Sequence, residues 1–124
     1  MDKILNIANH IINICIDLEK PINYFTLQKI LFLANEKHKE KSIFGTTLFN
    51  DSFTIPRYPY PEYEKVYREY VTSCEIKPII LKAEVEGISE KEAKILHETI
   101  KENIDLAPWE VYAKIVRILG DYYE

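Results

Sequence analysis

The residues best suited to recognition chemistry crowd into one short stretch. Tyr58, Tyr60, Tyr63, Tyr67 and Tyr70 fall there together with Arg57 and Arg68. Tyrosine and arginine anchor protein interfaces because each joins a large contact area to a polar handle. Tyr63, Tyr67 and Tyr70 are spaced by four and three residues, which favours the inner face of a helix. Tyr58 and Tyr60 lie among Pro56, Pro59 and Pro61 and serve equally well as presented contacts or as packed loop residues. A loop stiffened by proline has less entropy left to lose on binding. Arg57, Tyr58, Tyr60 and Tyr63 form the candidate partner-binding set.

Groups able to carry out catalysis are present but scattered. His10, His38 and His97 fall on three separate helical stretches with no carboxylate or cysteine at ligand spacing. A helical zinc site needs two ligands on one face, typically four residues apart. Cys15 sits among isoleucines, and Cys74 lies far from it in no metal-like spacing. A cysteine in such a setting is a small buried hydrophobe. Most glutamates neighbour lysines at helix-surface spacing, the pattern of solvated ion pairs. The chain has no Gly-rich phosphate loop and no Gly-x-Ser-x-Gly elbow. The sequence therefore assigns no catalytic, metal-ligating or cofactor-binding residue, and it predicts a binding protein, not an enzyme.

Composition sets the frame for those residues. The 124 residues are 47% hydrophobic and 29% charged, which is globular and predicts one domain over 1–124. A chain of this size buries about two-thirds of its unfolded surface, so it needs no disulfide or metal. The net charge of −4 argues against direct nucleic-acid binding, which draws its affinity from neutralising phosphates. Lys37, His38, Lys39 and Lys41 form one basic cluster, but Glu36 and Glu40 interleave with it. No apolar run approaches the roughly 18 to 20 residues of a membrane span, and the N-terminus lacks the pattern of a signal peptide. Two distant cysteines fit a reducing cytoplasm.

The elements that must position these residues are mainly helical. Ile4, Ala8, Ile11, Ile12, Cys15 and Leu18 repeat at three or four, predicting a first helix over 2–18. Pro21 breaks it, and Asn23 or Thr26 can cap a second helix. Leu27, Ile30, Leu31 and Ala34 give that helix its stripe, and Glu36 to Lys41 a solvated polar end. Between 42 and 61 the helical period gives way to turn residues. Phe49, Phe53 and Ile55 suit short extended pieces there, and three prolines forbid a long strand. Pro61 suits the first turn of a third helix ending near Ser73. Ile79, Ile80 and Leu81, followed by Ala83 and Val85, suit one short strand. Ser89 with Glu92 is a capping box that opens a fourth helix with Ala93, Leu96, Ile100 and Ile104 inside. A fifth runs from Pro108, with Val111, Tyr112, Ile115, Val116 and Leu119 inside, and Gly120 closes it. The prediction is mainly α: about five helices, with a small irregular or hairpin element between the second and third.

The second helix and the residues after it resemble the Panacea domain family, the phage-associated SocA-like proteins. The family opens helix two with Asn-x-x-x-Leu-Gln-Lys-Leu-Leu-Tyr-Phe-Ala, and this chain reads Asn23-Tyr24-Phe25-Thr26-Leu27-Gln28-Lys29-Ile30-Leu31-Phe32-Leu33-Ala34. His38, Gly45, Leu48, Phe49 and Phe53 keep the family order, as do Val66, Tyr67 and Tyr70. The match covers roughly residues 1 to 72. The family's Ala-Trp and Gly-Pro-Val before helix three are replaced by Ile55-Pro56-Arg57-Tyr58-Pro59-Tyr60-Pro61. That loop must differ in shape, because tyrosine lacks the backbone freedom of glycine. The resemblance implies an antitoxin-like, non-catalytic domain that neutralises a toxin encoded beside it, in some members as an adaptor to a protease. A self-associating, phage-associated structural or regulatory protein with no toxin partner is the alternative. An apolar patch on helix one or five would favour it. A transcriptional regulator is disfavoured by the acidic charge and the missing helix-turn-helix pattern.

Overall fold

A long helix organises the molecule, because its first half is apolar on most sides. The structure is a computed structural model and describes residues 1–71 and 77–123. The elements in order are α1 (Lys3–Asp17), α2 (Tyr24–Lys41), β1 (Thr54–Arg57), β2 (Tyr60–Glu62), α3 (Glu64–Tyr70), α4 (Glu90–Asn103) and α5 (Pro108–Tyr123). The fold is mainly α, with one two-stranded antiparallel hairpin between the second and third helices. From Leu27 to Asn35 every residue of α2 is buried. A helix apolar on all sides must be surrounded, and α1, α4, α5 and β2 all pack on α2.

Local chemistry fixes the helix ends. Asp2 caps α1 and Asn23 caps α2, accepting from Thr26 N at 2.9 Å. At α4 the Ser89–Glu92 capping box closes both ways, each bond 3.0 Å. α1 ends in a Schellman turn, with Lys20 N donating to Cys15 O and Glu19 N to Ile16 O. Glu19 takes the left-handed position at φ 59°, a place glycine occupies with less strain. Leu18 therefore stands at the exposed cap and leaves the predicted inner stripe. The core gathers Ile4, Ile7, Ile11, Leu31, Leu96 and Ile115, with fully buried Cys15 beside them. Burial pushes the Cys15 thiol up to about 12, so it stays protonated and unreactive. Cys74 lies outside the described residues.

Two helix boundaries and one strand expected from the sequence are corrected. Pro61 belongs to β2, and α3 starts later, at Glu64. Pairing of Arg57 with Tyr60 commits Tyr60–Glu62 to the hairpin before a helix can begin. α3 ends at Tyr70, and the predicted extension to Ser73 falls on residues outside those described. Gly120 does not close α5, which continues to Tyr123. Glycine inside a helix costs only about 1 kcal/mol. The last turn makes up for that through Tyr122, which packs edge-on against Phe53 at 5.6 Å and bonds Glu36. The stretch around Ile79 to Val85 has strand chemistry but pairs with no strand among the described residues.

That stretch is held by side chains instead. Asn13 takes Ala83 by both backbone groups, at 2.8 and 2.9 Å, and Asn6 takes Glu86 the same way. Asn9 donates to Glu84 O at 2.9 Å, and the His10 ring N–H donates to Glu86 O at 2.6 Å. Residues 6, 9, 10 and 13 recur at helical spacing, so α1 presents one row of polar side chains to an extended chain. The end of α2 is exposed from Lys39 to Lys41, as expected, whereas Lys37 is partly covered, and Lys37 and Lys41 meet carboxylates of α4. Both pair with Glu98 of α4, at 3.8 and 2.7 Å, and Lys37 also pairs with Glu102.

Candidate functional site

Two amides on α2 set the geometry around the tyrosines. Gln28 and Asn35 lie seven residues apart, hence on one face. Asn35 accepts from Leu48 N and Phe49 N at 2.8 and 3.1 Å and donates to Phe49 O. Gln28 accepts from Tyr63 N at 3.0 Å and donates to Tyr63 O at 3.1 Å. The segment between the two anchors must arch over the N-terminal half of α2, and the hairpin forms in that arch. Pro56 and Pro61 each lack a ladder donor, and the register slips between the Thr54–Glu62 and Arg57–Tyr60 pairs. The turn is Tyr58–Pro59, joined by a cis peptide.

The tyrosines divide into two clusters. Tyr63 is 1% exposed and packs edge-on with Phe49 at 5.1 Å and Phe53 at 6.0 Å. It is a core residue, so its place in the contact set is withdrawn: burial leaves it no surface to offer. The outer cluster runs Tyr67, Tyr24, Phe25, Tyr60, each ring edge-on to the next at 6.3, 5.4 and 5.4 Å. Tyr67 is 43% exposed and Tyr58, at the turn, is 66% exposed beside exposed Arg57. Tyr70 is half-buried and bonds Asn9 of α1. Of the three tyrosines read as an inner helix face, Tyr63 is buried at the N-cap of α3, Tyr70 is half-buried and Tyr67 is exposed.

An open groove of about 660 Å³ lies along the outer cluster. Its walls are Phe25, Tyr58, Tyr67 and Tyr112, with Pro56, Pro59 and Val71 at the margins. Arg57 and Glu62 bring opposite charges to it. In the floor the Tyr24 hydroxyl donates to Glu62 Oε2 at 2.7 Å and accepts from Gln28 Nε2 at 3.2 Å. The Tyr60 hydroxyl is sealed from solvent against that of Tyr24, with no well-aligned hydrogen-bond partner among the described residues. Tyr60 is 7% exposed, and a buried hydroxyl without a partner costs about 1 to 3 kcal/mol. Burial and the neighbouring charges raise the Tyr60 phenol above its ordinary range, so it stays a donor. Lys29 places its ammonium 4.2 Å from the centre of the Tyr112 ring, a cation–π contact that steadies the far wall.

The remaining candidate groups have structural partners or stand apart. The His10 and His38 rings each bond a backbone carbonyl, and His97 is exposed on α4. Among the described residues no group of three histidines, cysteines or carboxylates converges on a metal position. No helix there is long and apolar enough to cross a membrane. Sequence reasoning placed Tyr112 inside α5 and did not single out Phe25 or Glu62. The contiguity of 24–25 with 58–62 arises from the Gln28 clamp, for which periodicity gives no signal. The fold and site define a helical domain with an aromatic groove whose floor holds the Tyr24 hydroxyl bonded to the Glu62 carboxylate. No protein family, curated protein or solved structure matches the chain.

Proposed function

We propose that this chain is a non-catalytic protein-binding domain of the antitoxin type, acting in the cytoplasm on a toxin encoded beside it. The supporting observation is the aromatic groove, where exposed Tyr58 and Tyr67 flank a buried hydroxyl with no partner of its own among the described residues. Half-exposed tyrosines around a desolvated polar group make up the usual anatomy of a binding hot spot. Arg57, Tyr58 and the outer cluster supply the contact surface, and Tyr60 lines its floor. The likeness of Asn23 to Ala34 to the Panacea pattern supports the same reading. Neutralising a toxin, or delivering it to a protease, requires only a complementary surface.

The test is capture of the adjacent gene's product from co-expressing cells, scored with relief of that product's toxicity. The double substitution Tyr58→Ala, Tyr67→Ala should weaken capture at least tenfold. It should lower stability by only about 1 kcal/mol, chiefly from the lost Tyr67–Tyr24 ring contact. Undiminished capture by the double variant would reject this surface.

One observation favours self-association as a second reading. Trp109 is 71% exposed, and Tyr112 and Val116 come after it on the outer side of α5. An apolar helical stripe of this kind suits a two-fold contact with another copy. A dimer at micromolar concentration by light scattering, lost in Trp109→Ala and formed with no toxin captured, would favour it over the antitoxin reading.

A further inference from the structure

We infer that the segment around Ala83 is a contact between two copies of this chain, paired antiparallel about Ala83 with Lys82 of each copy against Glu84 of the other. The contact requires no toxin, and none of these residues lines the aromatic groove.

The hold of α1 on the segment decides where its remaining backbone groups point. Asn13 takes both the N–H and the C=O of Ala83, and Asn6 takes both of Glu86. Those asparagines stand seven residues apart on α1, a rise of about 10.5 Å. Three residues of extended chain cover about 10 Å, so the segment lies drawn out alongside the helix. A trans peptide turns its N–H and C=O to opposite sides, and the only cis bond among the described residues is Tyr58–Pro59. With the Ala83 N–H facing α1, the Lys82 C=O faces away. With the Ala83 C=O facing α1, the Glu84 N–H faces away. Neither outward group has a hydrogen-bond partner among the described residues. From Ile80 to Gly87 every residue but half-buried Ala83 is exposed.

An extended edge with unpaired backbone groups is a template for another strand, and this one is complementary to itself. A two-fold axis at Ala83 sets each Glu84 N–H against the Lys82 C=O of the other copy. Those are the bonds that flank a non-hydrogen-bonded pair in an antiparallel ladder, where Cα atoms approach to about 4.5 Å. Alanine is small enough to leave that approach open. Lys82 and Glu84 are two residues apart and share one face, so each meets its opposite charge across the axis. Lys82 bonds Asp17 at 2.5 Å with 57% of its side chain exposed, and its ammonium has donors left for a second carboxylate. Parallel pairing in register would set Lys82 on Lys82 and Glu84 on Glu84, and like charges directly opposite repel. Asn9 takes the Glu84 C=O as well, which turns the next peptide out of the ladder. Exposed Ile80, Leu81 and Val85 supply apolar cover beside the paired residues.

The test is sedimentation equilibrium of the purified full chain from micromolar to millimolar concentration, with amide hydrogen exchange at both ends of that range. A monomer–dimer equilibrium is expected. The Glu84 amide should gain about tenfold protection as the dimer fills, while the Ala83 amide, held by Asn13, stays unchanged. Lys82→Glu and Glu84→Lys should each weaken the dimer about tenfold by opposing like charges across the axis. The double exchange Lys82→Glu, Glu84→Lys should restore it, as should mixing the two single variants. A chain monomeric at millimolar concentration, or a dimer indifferent to both single variants, would overturn the inference. So would a dimer not regained in the double variant, or one lost in Trp109→Ala, which would move the contact to α5. Toxin capture is scored separately, so either result can fail without the other.

Discussion

Two extended segments cross the helices of this protein, and helix side chains hold both in place of a large sheet. The segment from 42 to 63 is pinned by Gln28 and Asn35, buried amides of α2. The segment from 77 to 89 is held by Asn6, Asn9, His10 and Asn13 along α1, where most of the bonds are part-buried or exposed. The chemistry is the same and the surroundings differ. A bond sealed from water leaves its partners unsatisfied when broken, whereas one at the surface is replaced by water. The first segment is thus a rigid arch able to carry a preformed groove. The second is a strap with exposed Ile80 and Leu81 and a low cost of local opening.

The largest expected effect separates the two by alkali. Burial raises the Tyr24, Tyr60 and Tyr63 phenols above their ordinary value of 10. A raised folded value means the unfolded chain loses its protons first as the pH climbs. The associated stability is complete below pH 10 and falls above it. Denaturation followed by circular dichroism should lose several kcal/mol by about pH 11, with the arch opening and the strap contributing little. A flat stability curve over that range would mean the phenols are wetter than their burial indicates.

Next in size is Gln28→Ala, which strands the Tyr63 N–H and C=O in the core. It should cost about 3 kcal/mol in urea denaturation, from buried groups worth about 1 to 3 kcal/mol each. The smallest is Asn13→Ala, which should cost about 1 kcal/mol. It should speed hydrogen exchange at the Ala83 amide, which Asn13 holds at 2.8 Å, and leave Tyr63 protected. Equal costs for the two amides would erase the distinction between arch and strap.

Much of the fold was legible because helices announce themselves locally. The stripes of α1 and α2, the Asn23 cap and the Ser89–Glu92 box all lie within a turn or two of the residues they govern. The short hairpin was foreshadowed by turn residues and prolines in the same way. The candidate site was legible only in part: the aromatic stretch was visible, but not which of its members faced outward. Tyr58 and Tyr60 flank the same proline, Pro59, yet one stands in solvent and the other lies in the floor of the groove. Asn6, Asn9 and Asn13 lie outside the apolar stripe read for the first helix, although they grip a chain some 70 to 80 residues away.

By itself the sequence determined which stretches are helical, where most of them begin, and that the densest polar-aromatic surface chemistry lies between 57 and 70. Tertiary structure alone decided that Tyr63 is core, that Tyr60 is buried while Tyr58 is exposed, that α5 runs past Gly120, and that residues 79–85 form a strap held by α1. The physical reason is range. Periodicity and capping express the balance within one element, whereas a groove or a clamp depends on which backbone a side chain meets after distant parts of the chain have packed.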